Sequence, residues 1–163
     1  MRERIEALIR DYPKKKMELK CLEHQIRNFR GISEDEMIDS MNFTQPEGER
    51  VQTSGVSDKT ARIATSYRER MDAINEEWYQ HLEKQYFTLA DEISFFESAV
   101  KALPGKMGEV MQDMIFSQTS WEELADKHFV GRTTIWRYRQ KAIEELMVLY
   151  EKHEAEMTAY MLS

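Results

Sequence analysis

Cysteine, proline and glycine are scarce in this chain, and long apolar runs are missing. The single cysteine, Cys21, cannot form an internal disulfide, so a reducing, cytoplasmic setting is expected. Three prolines and six glycines are too few for the many turns of a strand-rich fold. With 33% of residues charged, the composition favours long charged helices. No apolar run approaches the ~20 residues that span a bilayer, and the first residues lack the apolar core of a secretory signal. No membrane partner is expected. A chain of 163 residues has room for one or two small domains with a modest core.

What is present is acid in excess: 23 Lys and Arg against 30 Asp and Glu, a net charge of −7. Nucleic-acid phosphates need basic partners, so the total argues against nucleic-acid binding. The charge is uneven, however. Residues 127–141 hold five basic residues and no acid, while the rest of the chain carries −12. A binding face is local, and this window is its candidate.

The first segment places Ile5, Leu8, Tyr12, Leu19, Leu22, Ile26 and Phe29 at spacings near three and four. That is the pattern of a helix with one packed stripe. Pro13 should kink it or mark the start of its main part, and Gly31 is the expected stop. Residues 31–56 contain Gly31, Pro46, Gly48 and Gly55 among polar residues and read as a linker. Ser57 or Asp58 can cap the next helix. From there to Leu103 neither Gly nor Pro occurs, and the stripe runs Ile63, Tyr67, Met71, Ile74, Trp78, Leu82, Tyr86, Leu89, Ile93, Phe96, Val100 and Leu103. So long a helix needs a partner for its stripe. The N-terminal helix, running antiparallel as a hairpin, is one; a second subunit forming a coiled coil is the other. The aromatics of this stripe read as packing.

Pro104-Gly105 breaks the pattern, and three shorter periodic stretches follow. The first, Met107 to Phe116, offers Val110, Met111, Met114 and Ile115 for burial. The second opens on Ser120-Trp121-Glu122-Glu123, a capping box. The third opens near Gly131, after a connection of only His128-Phe129-Val130. Two short helices joined so tightly predict a helix-turn-helix. Ala125 would sit at the close approach, with Leu124, Val130, Ile135, Tyr138 and Ala142 closing the core. Arg132, Thr133, Thr134, Trp136, Arg137, Gln140 and Lys141 then face away from it, with Arg139 at the border. Arg bonds guanine bidentately, Gln pairs with adenine, and Thr reaches a thymine methyl or a phosphate. For an isolated basic run a solvated helix face is the ordinary reading. Its coincidence with the third helix favours double-stranded DNA binding.

Leu103 to Leu146 resembles the promoter-reading C-terminal domain of bacterial sigma factors, their region 4. The resemblance rests on Leu103-Pro104, the Trp121-x-Glu123-Leu124-Ala125 block, the spacing of Val130 and Ile135, and Ala142-x-x-x-Leu146. The whole layout, including Ser57-Asp58-Lys59-Thr60-Ala61, is similar to phage-encoded late transcription regulators of the ArpU and RinA type. This implies a phage or prophage regulator of transcription, with RNA polymerase as a further partner. The chain departs from the pattern at Phe129, where the family has a turn Gly, and at Gly131, where it has a capping Ser. A left-handed Phe is strained, which predicts a turn of different shape. Trp136 is bulky for a groove and suits the sugar-phosphate backbone or a partner.

The four histidines, His24, His81, His128 and His153, are scattered, and none pairs with Cys21 at ligand spacing, so no metal is expected. No Gly-rich phosphate loop occurs and no cofactor is implied. Acidic pairs such as Glu76-Glu77 and Glu144-Glu145 read as solvated faces, so no enzyme is expected. The expectation is an all-α protein: residues 1–103 as a long helical hairpin with the polar linker 31–56, for oligomerisation or partner binding, 104–146 as the DNA-binding unit, and 147–163 as a helical extension whose Leu149, Tyr150, Met157 and Tyr160 offer a second self-association stripe. A homodimer or other homo-oligomer would follow. The competing readings are a DNA-packaging factor of the small-terminase type and a coiled-coil adaptor.

Overall fold

The computed structural model describes residues 1–31, 33 and 58–163, without the side chains of 58–64 and 67. The protein is all-α, and no strand occurs among the described residues. Among the described residues five helices follow in chain order: α1 Arg2–Arg27, α2 Asp58–Lys101, α3 Gly105–Ile115, α4 Trp121–His128 and α5 Arg132–Leu162. None of the helices searched is long and apolar enough to cross a membrane. The expected linker and the Ser57 cap lie outside the described residues, apart from Gly31 and Ser33; Ile63 and Tyr67 are likewise outside the described side chains.

The chain forms two compact units, Met1–Lys20 with Thr88–Ser163, and Cys21–Phe87. These do not follow the division at residues 103 and 146 expected from the sequence. The reason is the first unit's core. Ile5, Leu8 and Tyr12 of α1 share it with Phe96 and Val100 of α2, Met107 and Met111 of α3, and Ile143, Leu146 and Tyr150 of α5. Apolar burial of about 25 cal/mol per Å² acts across all four helices at once.

Polar contacts fix the α1–α2 pairing within this unit. The Tyr12 hydroxyl donates to Glu97 at 2.6 Å, Lys15 meets Glu92 at 2.7 Å, and Lys16 meets Glu97 at 3.0 Å. Burial opposes ionisation of Glu97, yet the Tyr12 and Lys16 hydrogen bonds hold its carboxyl below the usual range.

α1 passes through Pro13 without a restart. Pro13 is exposed, while its neighbour Tyr12 is anchored against Phe96 and Phe116 at ring separations of 5.8 and 5.5 Å. The packing of the flanking turns outweighs the lost backbone bond. α1 also ends before Gly31. Both the backbone and the side-chain amide of Asn28 donate to the His24 carbonyl, which closes the helix at Arg27. In the second unit Phe29 meets Tyr79 edge-on at 5.1 Å and Leu82 is buried. Trp78, expected in the packed stripe, is 50% exposed beside an open depression lined also by Phe29 and Leu82.

α5 runs unbroken from Arg132 to Leu162, so the expected helical extension continues the third helix of the turn unit. Tyr150, assigned to a self-association stripe, is buried in the first unit instead. Its ring packs edge-on against Phe95 at 4.8 Å, with the Arg4 guanidinium 5.5 Å above it. Leu149, Met157 and Tyr160 are exposed.

Candidate nucleic-acid interface

α3, α4 and α5 build the candidate site around a small core of Val110, Leu124 and Ile135, with Ala125, Val130 and Tyr138 packed against it. α3 starts abruptly after Pro104. Gly108 lies against the chain before the helix, and an added Cβ would run into the Leu103 carbonyl oxygen. Ser120, in extended backbone, opens α4, and its hydroxyl accepts from the Glu123 N–H at 3.3 Å. This is the cap expected from the sequence.

α4 ends on Phe129 in the left-handed conformation, φ 54° and ψ 44°. The Phe129 and Val130 N–H groups both reach the Ala125 carbonyl. The expected alternative turn is therefore corrected: phenylalanine takes the backbone conformation that favours glycine. Val130 must return to the core beside Leu124 and Ile135, which dictates the turn. The Phe129 ring, 93% exposed, meets little in the way of obstruction. Gly131 in extended backbone then caps α5 without a side-chain bond.

Along α5 the buried side consists of Ile135, Ala142, Ile143 and Leu146. Arg132, Thr133, Trp136, Arg137 and Lys141 are exposed; Thr134, Arg139 and Gln140 are half-buried. All eight residues singled out from sequence thus lie on one helix, five of them exposed. Trp136 is 53% exposed, enough to present a ring face. Arg132 donates to Glu122 of α4 at 2.6 Å. Both side chains are largely in water, so this pair contributes little and can exchange for a phosphate. Gln140 is already engaged: its carbonyl oxygen accepts from the Arg2 guanidinium of α1.

One cluster was not legible in the sequence. His128, 8% exposed, closes α4, and its Nε2 lies 2.6 Å from Asp113 Oδ2 of α3. Lys127 Nζ reaches the same oxygen at 2.9 Å. The Lys127 hydrogen bond, aided by His128 and opposed by burial, holds the Asp113 carboxyl below its ordinary range. The cluster ties α3 to the end of α4, directly before the strained turn. Its members sit on different helices with an irregular connection between them, so no single helical period links them and pattern reading passes over them. Among the described residues searched, no group of three or more His, Cys, Asp or Glu could hold a metal.

Geometrically, the site is a convex basic and aromatic helix face rather than a cleft. It can dock into a groove or against a phosphate backbone. No protein-family model, no curated protein and no solved structure matches this chain.

Proposed function

We propose that this protein binds double-stranded DNA in a sequence-specific manner through the face of α5, with α3 and α4 as its support. The observation that carries the reading is the coincidence of two features. Residues 127–141 hold five basic residues and no acid in a chain of net charge −7, and four of the five, Arg132, Arg137, Arg139 and Lys141, fall on the third helix of a tight helix-turn-helix. Arg132, Thr133 and Thr134 sit in the first turn of α5, where such helices meet base edges and phosphates. Arg137 lies one turn further along the open side, and Trp136 is suited to the sugar-phosphate backbone.

The resemblance of Leu103–Leu146 to sigma region 4 extends this proposal to transcription regulation by a phage or prophage in the host cytoplasm. RNA polymerase is the proposed second partner. The protein acts by binding and not by catalysis. An acidic body carrying one basic face holds a lone copy to modest affinity, which favours a homodimer or assistance from polymerase.

Mapping of bound DNA across the host genome, followed by footprinting, tests the reading directly. Arg137→Ala is expected to weaken specific binding by about 1–3 kcal/mol if the guanidinium reads a base. Unchanged gel-shift affinity would remove Arg137 from the interface. Light scattering decides the assembly: a dimer or monomer that shifts promoter DNA supports regulation, whereas a ring of many subunits points to DNA packaging. Binding that ignores salt would count against a phosphate partner altogether.

A further inference from the structure

Arg2 and Gln140 are 138 residues apart in the chain, yet the Arg2 Nη2 donates to the Gln140 carbonyl oxygen. The contact rests on firm ground. Ile5 and Leu8 of α1 are buried in the core shared with Ile143 and Leu146 of α5. Arg4 pairs with Glu154, and its guanidinium lies over the Tyr150 ring at 5.5 Å. The start of α1 is thus seated along α5, and Arg2 is carried to the edge of the basic face. Its side chain is 43% exposed.

From this geometry, and resting on the reading of α5 as a DNA-binding helix, we propose that Arg2 belongs to the nucleic-acid interface and contacts a backbone phosphate beside Gln140. Gln140 stands eight residues beyond Arg132, about 12 Å along the helix at ~1.5 Å per residue. The major groove is about 8.5 Å deep, less than this distance. A helix that places its first turn at the bases has, at this distance, reached the level of the flanking sugar-phosphate strand. A guanidinium has five N–H donors. One goes to Gln140, and Nε faces Glu6 at 3.4 Å in an exposed pair. The remaining donors are available to phosphate oxygens, for which a planar fork is well matched. The α1 contribution adds positive charge at the point where the purely basic window ends.

The test compares salt dependence across variants of the full chain, using a footprinted site and an unrelated duplex of equal length. Arg2→Ala is expected to lower the slope of log affinity against log salt by about 0.9, the value for one phosphate contact. It should weaken both duplexes alike. Arg2→Gln, which keeps a donor for Gln140 but no charge, should behave as Arg2→Ala and guards against a folding defect. Arg2→Lys should retain most of the slope. Arg10→Ala removes an equal charge from the same helix and should leave the slope nearly intact. An unchanged slope in Arg2→Gln overturns the proposal. So does relaxed base preference at the position also relaxed by Gln140→Ala with no slope change, which would make Arg2 a positioning residue only. If Arg10→Ala lowers the slope equally, general charge explains the effect. If Arg137→Ala abolishes specific binding while the Arg2 variants bind normally, the DNA-binding reading stands and the Arg2 contact falls. If the wild-type chain shifts no DNA, both fall together.

Discussion

Phe129 holds φ 54° with its ring almost wholly in solvent, so no buried apolar area offsets the backbone strain. The left-handed conformation costs a residue with a Cβ about 1–2 kcal/mol. Phe129→Gly is therefore expected to raise unfolding free energy by about 1 kcal/mol, read from the denaturant midpoint. A lower midpoint would mean that the ring contributes packing not evident from its exposure. The sequence marked this position only through the resemblance, in which a glycine is usual, and the expectation drawn from it was a turn of different shape. That the turn nevertheless keeps its form was decided by Val130, Leu124 and Ile135, which must meet.

At the scale of elements, Ala125 and Asp113 hold the helix-turn-helix together in different ways. Ala125, partly buried, packs against the cluster of Val110, Leu124 and Ile135. Ala125→Leu should cost about 1–3 kcal/mol by overpacking, and an unaltered melting curve would contradict the close approach. Asp113 ties α3 to α4 through Lys127 and His128. Its folded-state pKa is depressed, so the unfolded chain takes up the proton more readily. The stabilisation is present above the ordinary carboxylate range and is lost as pH falls through the depressed value. Melting temperature should decline on acidification into that range, and Asp113→Asn should flatten the decline. An equally steep decline in the variant would assign it to other carboxylates. The apolar period and the Ser120 cap made α4 and the start of α5 legible; the Asp113 cluster joins two separate helices and was not.

Across the first unit, α1 acts as part of the helix-turn-helix support. Ile5 is fully buried among residues of α2, α3 and α5. Ile5→Ala should destabilise by about 2–5 kcal/mol, and loss of α5 helicity should coincide with loss of α1 packing in thermal unfolding. Separate transitions for the two would show that residues 104–146 fold without α1. Sequence reading set a boundary at Pro104 because the pattern breaks there. A break in chain direction is not a break in the core, and the buried faces on either side of Pro104 join.

The sequence by itself determined the helical class, the stretches that become helices, the tight turn near residue 129 and the acid-free window. Each follows from local causes: apolar period, capping side chains, Gly and Pro punctuation, and charge. Only the tertiary structure decided that α1 shares a core with α5, that Tyr150 turns inward, that Asp113 meets Lys127 and His128, and that Arg2 stands beside Gln140. These depend on which apolar faces find each other, and residues distant in the chain become neighbours only once that burial is complete.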